Sequence, residues 1–190
     1  ALNSGKIEFI ADGNSKYLNG TTTIAKTDDT NYGTLVFNVL SEYTLGENIQ
    51  LDGAGMFTKT GSADLILAGD RSAFDGTASM EAGRIIYKQT ADTDKYFGGT
   101  TDIGGSGALV FDISTTISQD LSLKGTGDFI KTGTGTLTVS GALDAFKGAA
   151  EIQAGKLIYN KNEAADSYFG GSTLISPGTS LEFNIADSLI

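Results

Sequence analysis

The sequence predicts an all-β chain wound as a parallel β-solenoid of about eight coils, with no substantial helix. Three observations carry this: an internal repeat, apolar residues on alternate positions of many short segments, and 26 glycines in 190 residues against a single proline. Residues 53–99 superimpose on 125–171 without a gap at an offset of 72, with 21 of 47 positions identical. Self-similarity at a fixed period is the mark of stacked units. A period of 72 divides into three coils of about 24 residues, so the chain would form a rod on the order of 38 Å long at the inter-strand spacing of a sheet. One coil cannot bury its inner face alone; stacking buries it and pairs the backbone donors and acceptors, which also explains the shortage of proline.

The elements follow in order. Gly5-Lys6-Ile7-Glu8-Phe9 corresponds to Gly83-Arg84-Ile85-Ile86-Tyr87 and to Gly155-Lys156-Leu157-Ile158-Tyr159, and Tyr17-Leu18-Asn19-Gly20 stands where Tyr96-Phe97-Gly98-Gly99 and Tyr168-Phe169-Gly170-Gly171 stand. Leu35, Phe37 and Val39 alternate with polar or smaller residues, as do Leu109, Phe111, Ile113 and Leu181, Phe183, Ile185. Such alternation is that of a strand with one buried face. Leu137 and Val139 alternate with Thr136, Thr138 and Ser140 in the same way. About 17 short strands are expected, with glycine at most turns; only stretches such as Asn162 to Asp166 could form a single helical turn. The expected organisation is one solenoid piece over 1–190, with repeats at about 5–52 (partial), 53–124 and 125–190 (partial), taken from the interior of a longer array. A propeller would need a shorter, blade-length repeat, and a sandwich or meander would need none.

Expected core residues are Phe37, Phe57, Leu65, Phe111, Phe129, Leu137, Leu157 and Phe183; Gly61, Gly83, Gly133 and Gly155 are expected to carry turns. Composition narrows the chemistry. With no histidine, cysteine or tryptophan, the chain lacks the groups of a Ser-His-Asp or Cys-His nucleophile system, a Cys/His zinc site and an axial-histidine haem. A net charge of −10 opposes nucleic acid and anionic lipid as partners. No run of about 18 apolar residues could cross a bilayer as a helix. Mean hydropathy of −0.04 is that of an ordinary folded chain.

The ordered string Gly125-Thr126-Gly127-Asp128-Phe129-Ile130-Lys131-Thr132-Gly133-Thr134-Gly135-Thr136-Leu137-Thr138-Val139-Ser140-Gly141, followed by Phe146-Lys147-Gly148 and Ala154-Gly155-Lys156-Leu157, resembles the autotransporter-associated β-strand repeat, also called the passenger-associated transport repeat. Gly53 to Gly69 follows the same pattern except where Ala63-Asp64 replaces a glycine and a small polar residue. The resemblance implies a right-handed parallel β-helix in the passenger region of a Gram-negative type V autotransporter. Its implied partner is a C-terminal β-barrel translocator in the same precursor, and its implied location is the cell surface, at the outer membrane, or secreted. It further implies a structural and secretion-supporting role, as the stalk of a surface adhesin or aggregation factor with a part in virulence. The host-cell surface, a glycan or another copy of the chain are the candidate ligands, and open solenoid ends would favour end-to-end self-association. A polysaccharide-binding or polysaccharide-cleaving β-helix and the receptor-binding segment of a secreted toxin are the alternatives.

Lys59-Thr60-Gly61 and Lys131-Thr132-Gly133 match a segment of serine β-lactamases, but no serine here has lysine three residues on. The two lysines are expected at coil corners with their stems over the edge, although Lys131 shares strand parity with Phe129. The glycine-rich segments lack the Gly-Lys-Ser/Thr run and following helix of a phosphate loop. Gly104-Gly105-Ser106-Gly107 starts like a calcium-binding nonapeptide but has Leu109 in place of aspartate. Tyr96-Phe97 and Tyr168-Phe169 are read as packing over the core rather than as a sugar platform. Asp64, Asp70, Asp75 and Glu81 align with Thr136, Ala142, Lys147 and Gln153, and Asp112 with Asn184; carboxylates vary where glycines and aromatics do not. The expectation is therefore a scaffold and not an enzyme, with no catalytic, cofactor-binding or metal residue assigned.

Overall fold

A computed structural model describes residues 1–13, 18–28, 30–89, 91–161 and 168–185. Their regular structure is entirely β: β1 (Gly5–Ala11), β2 (Gly20–Thr23), β3 (Gly33–Val39), β4 (Tyr43–Leu45), β5 (Ile49–Asp52), β6 (Met56–Thr60), β7 (Leu65–Ala68), β8 (Thr77–Lys88) and β9 (Thr100–Asp112). The second half adds β10 (Thr116–Asp120), β11 (Ser122–Gly125), β12 (Asp128–Thr132), β13 (Thr136–Ser140), β14 (Ala150–Ile152), β15 (Lys156–Lys161), β16 (Thr173–Ile175) and β17 (Ser180–Ile185). Every strand pairing is parallel. Parallel neighbours need a crossover, and here the rest of each coil supplies it. The segment Asn162 to Asp166 and the landmark Tyr17 lie outside the described residues.

The pairings build three faces. On the first, Ile7, Leu35, Phe57, Ala78, Thr101 and Leu123 stack in register. On the second, Tyr43, Leu65, Ile85, Leu109, Phe129, Ala150 and Thr173 stack likewise. Strands β8 and β9 serve both faces, turning the corner without a break through a register shift between Met80 and Ala82; such a bulge bends a strand while keeping most of its ladder. The third face holds the pair β2–β5 and the four-stranded sheet β10-β13-β15-β17. Between β5 and β10 no described strand crosses this face. The coils close there through single bonds, such as Arg71 N to Lys95 O at 2.7 Å and Gly98 N to Phe74 O at 2.9 Å.

Eight strands stack along the main sheet, from β1 to β16, so the rod makes about seven turns, one fewer than the expected eight. Coil length also departs from expectation. Three steps along the first face from Phe57 reach Leu123, 66 residues on. That is six residues short of Phe129, which occupies the second face beneath Leu109. A 72-residue repeat is therefore three coils plus one face. The equivalent strands β1, the second half of β8, and β15 stand on the first, second and third faces in turn. The N-terminal step is longer, 28 residues from Gly5 to Gly33, and within it an antiparallel bridge joins Lys26 to Tyr32. Near this bridge Asp28 accepts from the backbone of Thr30 and Asn31, both at 2.8 Å.

The interior is a column of rings and aliphatics. Phe9, Phe37 and Phe57 follow one another at 5.5 and 5.7 Å between centroids, and Phe111 and Phe129 at 5.6 Å. Phe37, Phe57, Leu65, Phe111, Phe129, Leu137 and Leu157 have at most 1% exposure, as expected of core positions. Phe183 does not. It is 52% exposed because β17 is the last described strand of its face; it stacks on Tyr159 at 5.4 Å and meets Tyr168 edge-on at 5.0 Å, with no further described strand stacked beyond it.

Candidate functional site

The least ordinary chemistry in this rod lies inside it. Lys59 and Lys131 have no exposure, which corrects the expectation that they sit over an outer corner. Their inward direction follows from strand parity: Phe57 and Lys59 alternate onto the same side of β6, as Phe129 and Lys131 do on β12. At the corner, Gly61 and Gly133 turn with φ of 75° and 69°, and Gly83 and Gly155 do the same one coil later at 68° and 69°. These are left-handed conformations that side-chain-bearing residues rarely adopt. The turns leave carbonyl oxygens around the amine. Lys59 Nζ donates to Thr60 O at 2.8 Å, Gly61 O at 2.7 Å and Ala82 O at 2.9 Å. Lys131 Nζ makes the matching set with Thr132 O, Gly133 O at 2.8 Å and Ala154 O at 3.3 Å. A Cβ on Gly83 would come within 2.8 Å of the Lys59 amine and 2.6 Å of Gly61 O, so the glycine is required by space as well as by conformation. Burial pushes both lysines down to about 8, with Asp64 and Asp112 opposing through their charge.

Arg71 is a third buried cation, also without exposure, which the repeat pattern did not single out. Its guanidinium donates to Leu45 O at 2.7 Å, Gly46 O at 2.9 Å, Ala68 O and Ile49 O. The signal that could have found it is its counterpart in the other repeat, the fully buried Leu143: a cation aligned with a core leucine is an inward residue. Beside it, Tyr87 is buried and its hydroxyl is pushed upward by desolvation.

Outside, the described carboxylates are dispersed, and several are engaged. Asp64 takes a two-point bond from Arg84, Nε to Oδ1 at 2.8 Å and a second nitrogen to Oδ2 at 2.5 Å; the equivalent Lys156 pairs instead with Glu182. Asp70 accepts from Ser72 Oγ at 2.9 Å and Lys95 N at 3.0 Å, and Asp112 lies 3.9 Å from Lys88. Gly104 to Gly107 lie within β9, where a Cβ at Gly104 or Gly107 would come within 2.8 Å of Met80 O. These glycines let β9 pass close to the bulge in β8. Tyr96 and Phe97 are 2% exposed and pack against Tyr87, Phe111, Phe57 and Phe74. They fill the gap in the third face, with Gln119 accepting from Tyr96 N at 2.9 Å and donating to Asp94 O at 3.0 Å. The recess above them, of about 230 Å³, is lined by Ser72, Lys95, Gly98 and Asp120 as well.

The fold and its interior define a parallel β-solenoid whose repeated sequence elements are spent on turns, core and buried cation contacts. In sequence, the chain is similar to the adhesin BmaC autotransporter of Brucella suis biovar 1 (strain 1330), at 31% identity over 181 aligned positions covering 83% of this chain. It is also similar to the uncharacterized lipoprotein YdeK of Escherichia coli (strain K12), at 27% identity over 114 positions covering 60%. The chain spans only 5% and 8% of the lengths of these relatives. No family model matches it, and no solved structure does. The autotransporter resemblance is thus carried by the adhesin, while assignment to one repeat family is not.

Proposed function

We propose that this chain is a structural segment of the β-helical passenger of a bacterial autotransporter, exposed at the cell surface, where it supports secretion and serves as the stalk of an adhesin or aggregation factor. The observation that carries this reading is the coincidence of a parallel solenoid with similarity, over 83% of the chain, to an autotransporter adhesin. A C-terminal translocator barrel in the same precursor is the partner this reading requires. The segment acts by folding: each coil completes the sheet edge left by its neighbour, so the rod grows by adding identical faces. It is not an enzyme in this reading, and its carboxylates serve as surface ion pairs and turn caps.

The test is removal of residues 53–190 from the full precursor, with surface display followed by external protease on intact cells. Loss of display together with adhesion supports a scaffold. Full display with selective loss of adhesion would instead make this segment the ligand-binding part. Turnover of a polysaccharide, abolished by a single Asp or Glu substitution, would overturn the non-enzymatic reading.

A further inference from the structure

Lys59, Arg71 and Lys131 share a geometry that the surface role does not explain. All three are wholly buried, and none forms an ion pair with a carboxylate among the described residues. Burying a charge costs several kcal/mol unless it is paired or fully hydrogen-bonded. Here the compensation is entirely main-chain carbonyl, and of these donors Arg71 Nε is left without a partner among the described residues. An ammonium has three N–H groups, and each lysine meets three carbonyls. In every case the acceptors come from two successive coils. Lys59 bonds its own corner and Ala82 of the next coil; Lys131 bonds its own corner and Ala154 of the next. Arg71 reaches back, joining Ala68 of its own coil to Leu45 and Gly46 of the coil before.

The strand ladder already ties coils together along the faces, but it is interrupted where the chain turns. Corners are therefore the places where one coil can slip or open against the next: the ladder between the coils that each lysine joins stops at Lys59–Met80 and Lys131–Ile152 and resumes only at Leu65–Ile85 and Thr136–Lys156. We propose that Lys59, Arg71 and Lys131 are inter-coil clasps, cations that bind the corner carbonyls of adjacent coils and lock the turns in register where the ladder is broken. The Lys-Thr-Gly and Ala-Gly segments are the two halves of one such device. The lysine donates to residues one, two and 23 positions on in both repeats, a spacing that spans one coil. Arg71 provides the same bond from the other direction, and its replacement by Leu143 in the second repeat leaves that clasp out.

The deciding variants are Lys59→Met and Lys131→Met, which keep a long apolar stem and remove the donors. Hydrogen exchange resolved by peptide should show the corners accelerated about tenfold or more, at 133–135 and 153–156 for Lys131→Met and at 61–63 and 81–84 for Lys59→Met, with β9 and β12 keeping their protection. Unchanged exchange at both corners would overturn the proposal, as would a loss spread evenly over the chain, which would make the lysines filler. Should the variants fail to fold, the unaltered protein decides. In side-chain nitrogen spectra of the 11 lysines, two ammonium groups should exchange with water about tenfold more slowly than the rest. A single fast-exchanging population would sink the clasp. These readouts are taken on the isolated protein, so they stand or fall apart from the surface role.

Discussion

The two matched stretches, 53–99 and 125–171, share their turns, rings and lysines, yet they occupy different faces of the rod. Phe57 packs between Leu35 and Ala78 on the first face, and Phe129 between Leu109 and Ala150 on the second. The same local sequence therefore builds the same local structure on whichever face the winding presents to it. The repeat encodes corners and inward residues, while its orientation about the axis follows from coil length. Where the copies differ in the interior, as at Arg71 and Leu143, the difference falls on a position that the fold can fill with either a clasp or a hydrocarbon.

The largest expected effect tests that equivalence. Phe57→Ala and Phe129→Ala should each cost about 3–5 kcal/mol in denaturant unfolding, because both rings are fully buried. A loss below about 1 kcal/mol at either would remove it from the core. Next, Gly83→Ala and Gly155→Ala should each cost about 2 kcal/mol or more, since a left-handed φ is joined by a backbone carbonyl within 2.6 Å and 2.3 Å of the new Cβ. Gly5→Ala is the control at the open end: its φ is 82° but nothing lies within 4 Å, so only the conformational part, about 1 kcal/mol, should be lost. Phe183→Ala should cost about 1 kcal/mol, well below its buried counterpart Phe111; an equal loss at both would mean that Phe183 is covered in solution. Smallest is the surface pair: Arg84→Ala should cost under about 1 kcal/mol, and less at high salt.

Dependence on pH sharpens the same contrast between lysine and ring. The folded lysines titrate at about 8, below the unfolded value of about 10.4, so between these the unfolded chain holds more protons and stability rises with pH. A neutral amine keeps two of its three donors, which is why loss of the charge costs less than loss of the nitrogen. Tyr87, Tyr96 and Tyr159 have the opposite sense. Burial raises each, so the stability they contribute is complete below about pH 10 and is lost above it. The unfolding midpoint should therefore climb from pH 8 toward 10 and fall beyond. In the double variant Lys59→Met, Lys131→Met the climb should disappear and the fall remain; a climb that survives would assign it to other groups.

Much of this was legible in the residues. Alternation in Leu35-Val36-Phe37-Asn38-Val39 located β3 and its buried face, and the paired glycines located corners that do turn through positive φ. The inward path of Lys59 and Lys131 was present in their parity with Phe57 and Phe129, but lysine's preference for water argued for an outer corner. Only the carbonyls of two stacked turns, 23 residues apart, show why a charge can lie inside. Arg71 was hidden for the same reason, because its four acceptors come from segments up to 26 residues away.

The sequence by itself determined the class of fold, the positions of turns and core, and the repeat, because these depend on local periodicity and on the conformations that glycine alone adopts cheaply. Tertiary structure decided the winding, the face on which each copy sits, the exposure of Phe183, and the role of the buried cations. Each of these depends on which coil lies above and below, and that is set by coil length summed over many residues rather than by any one segment.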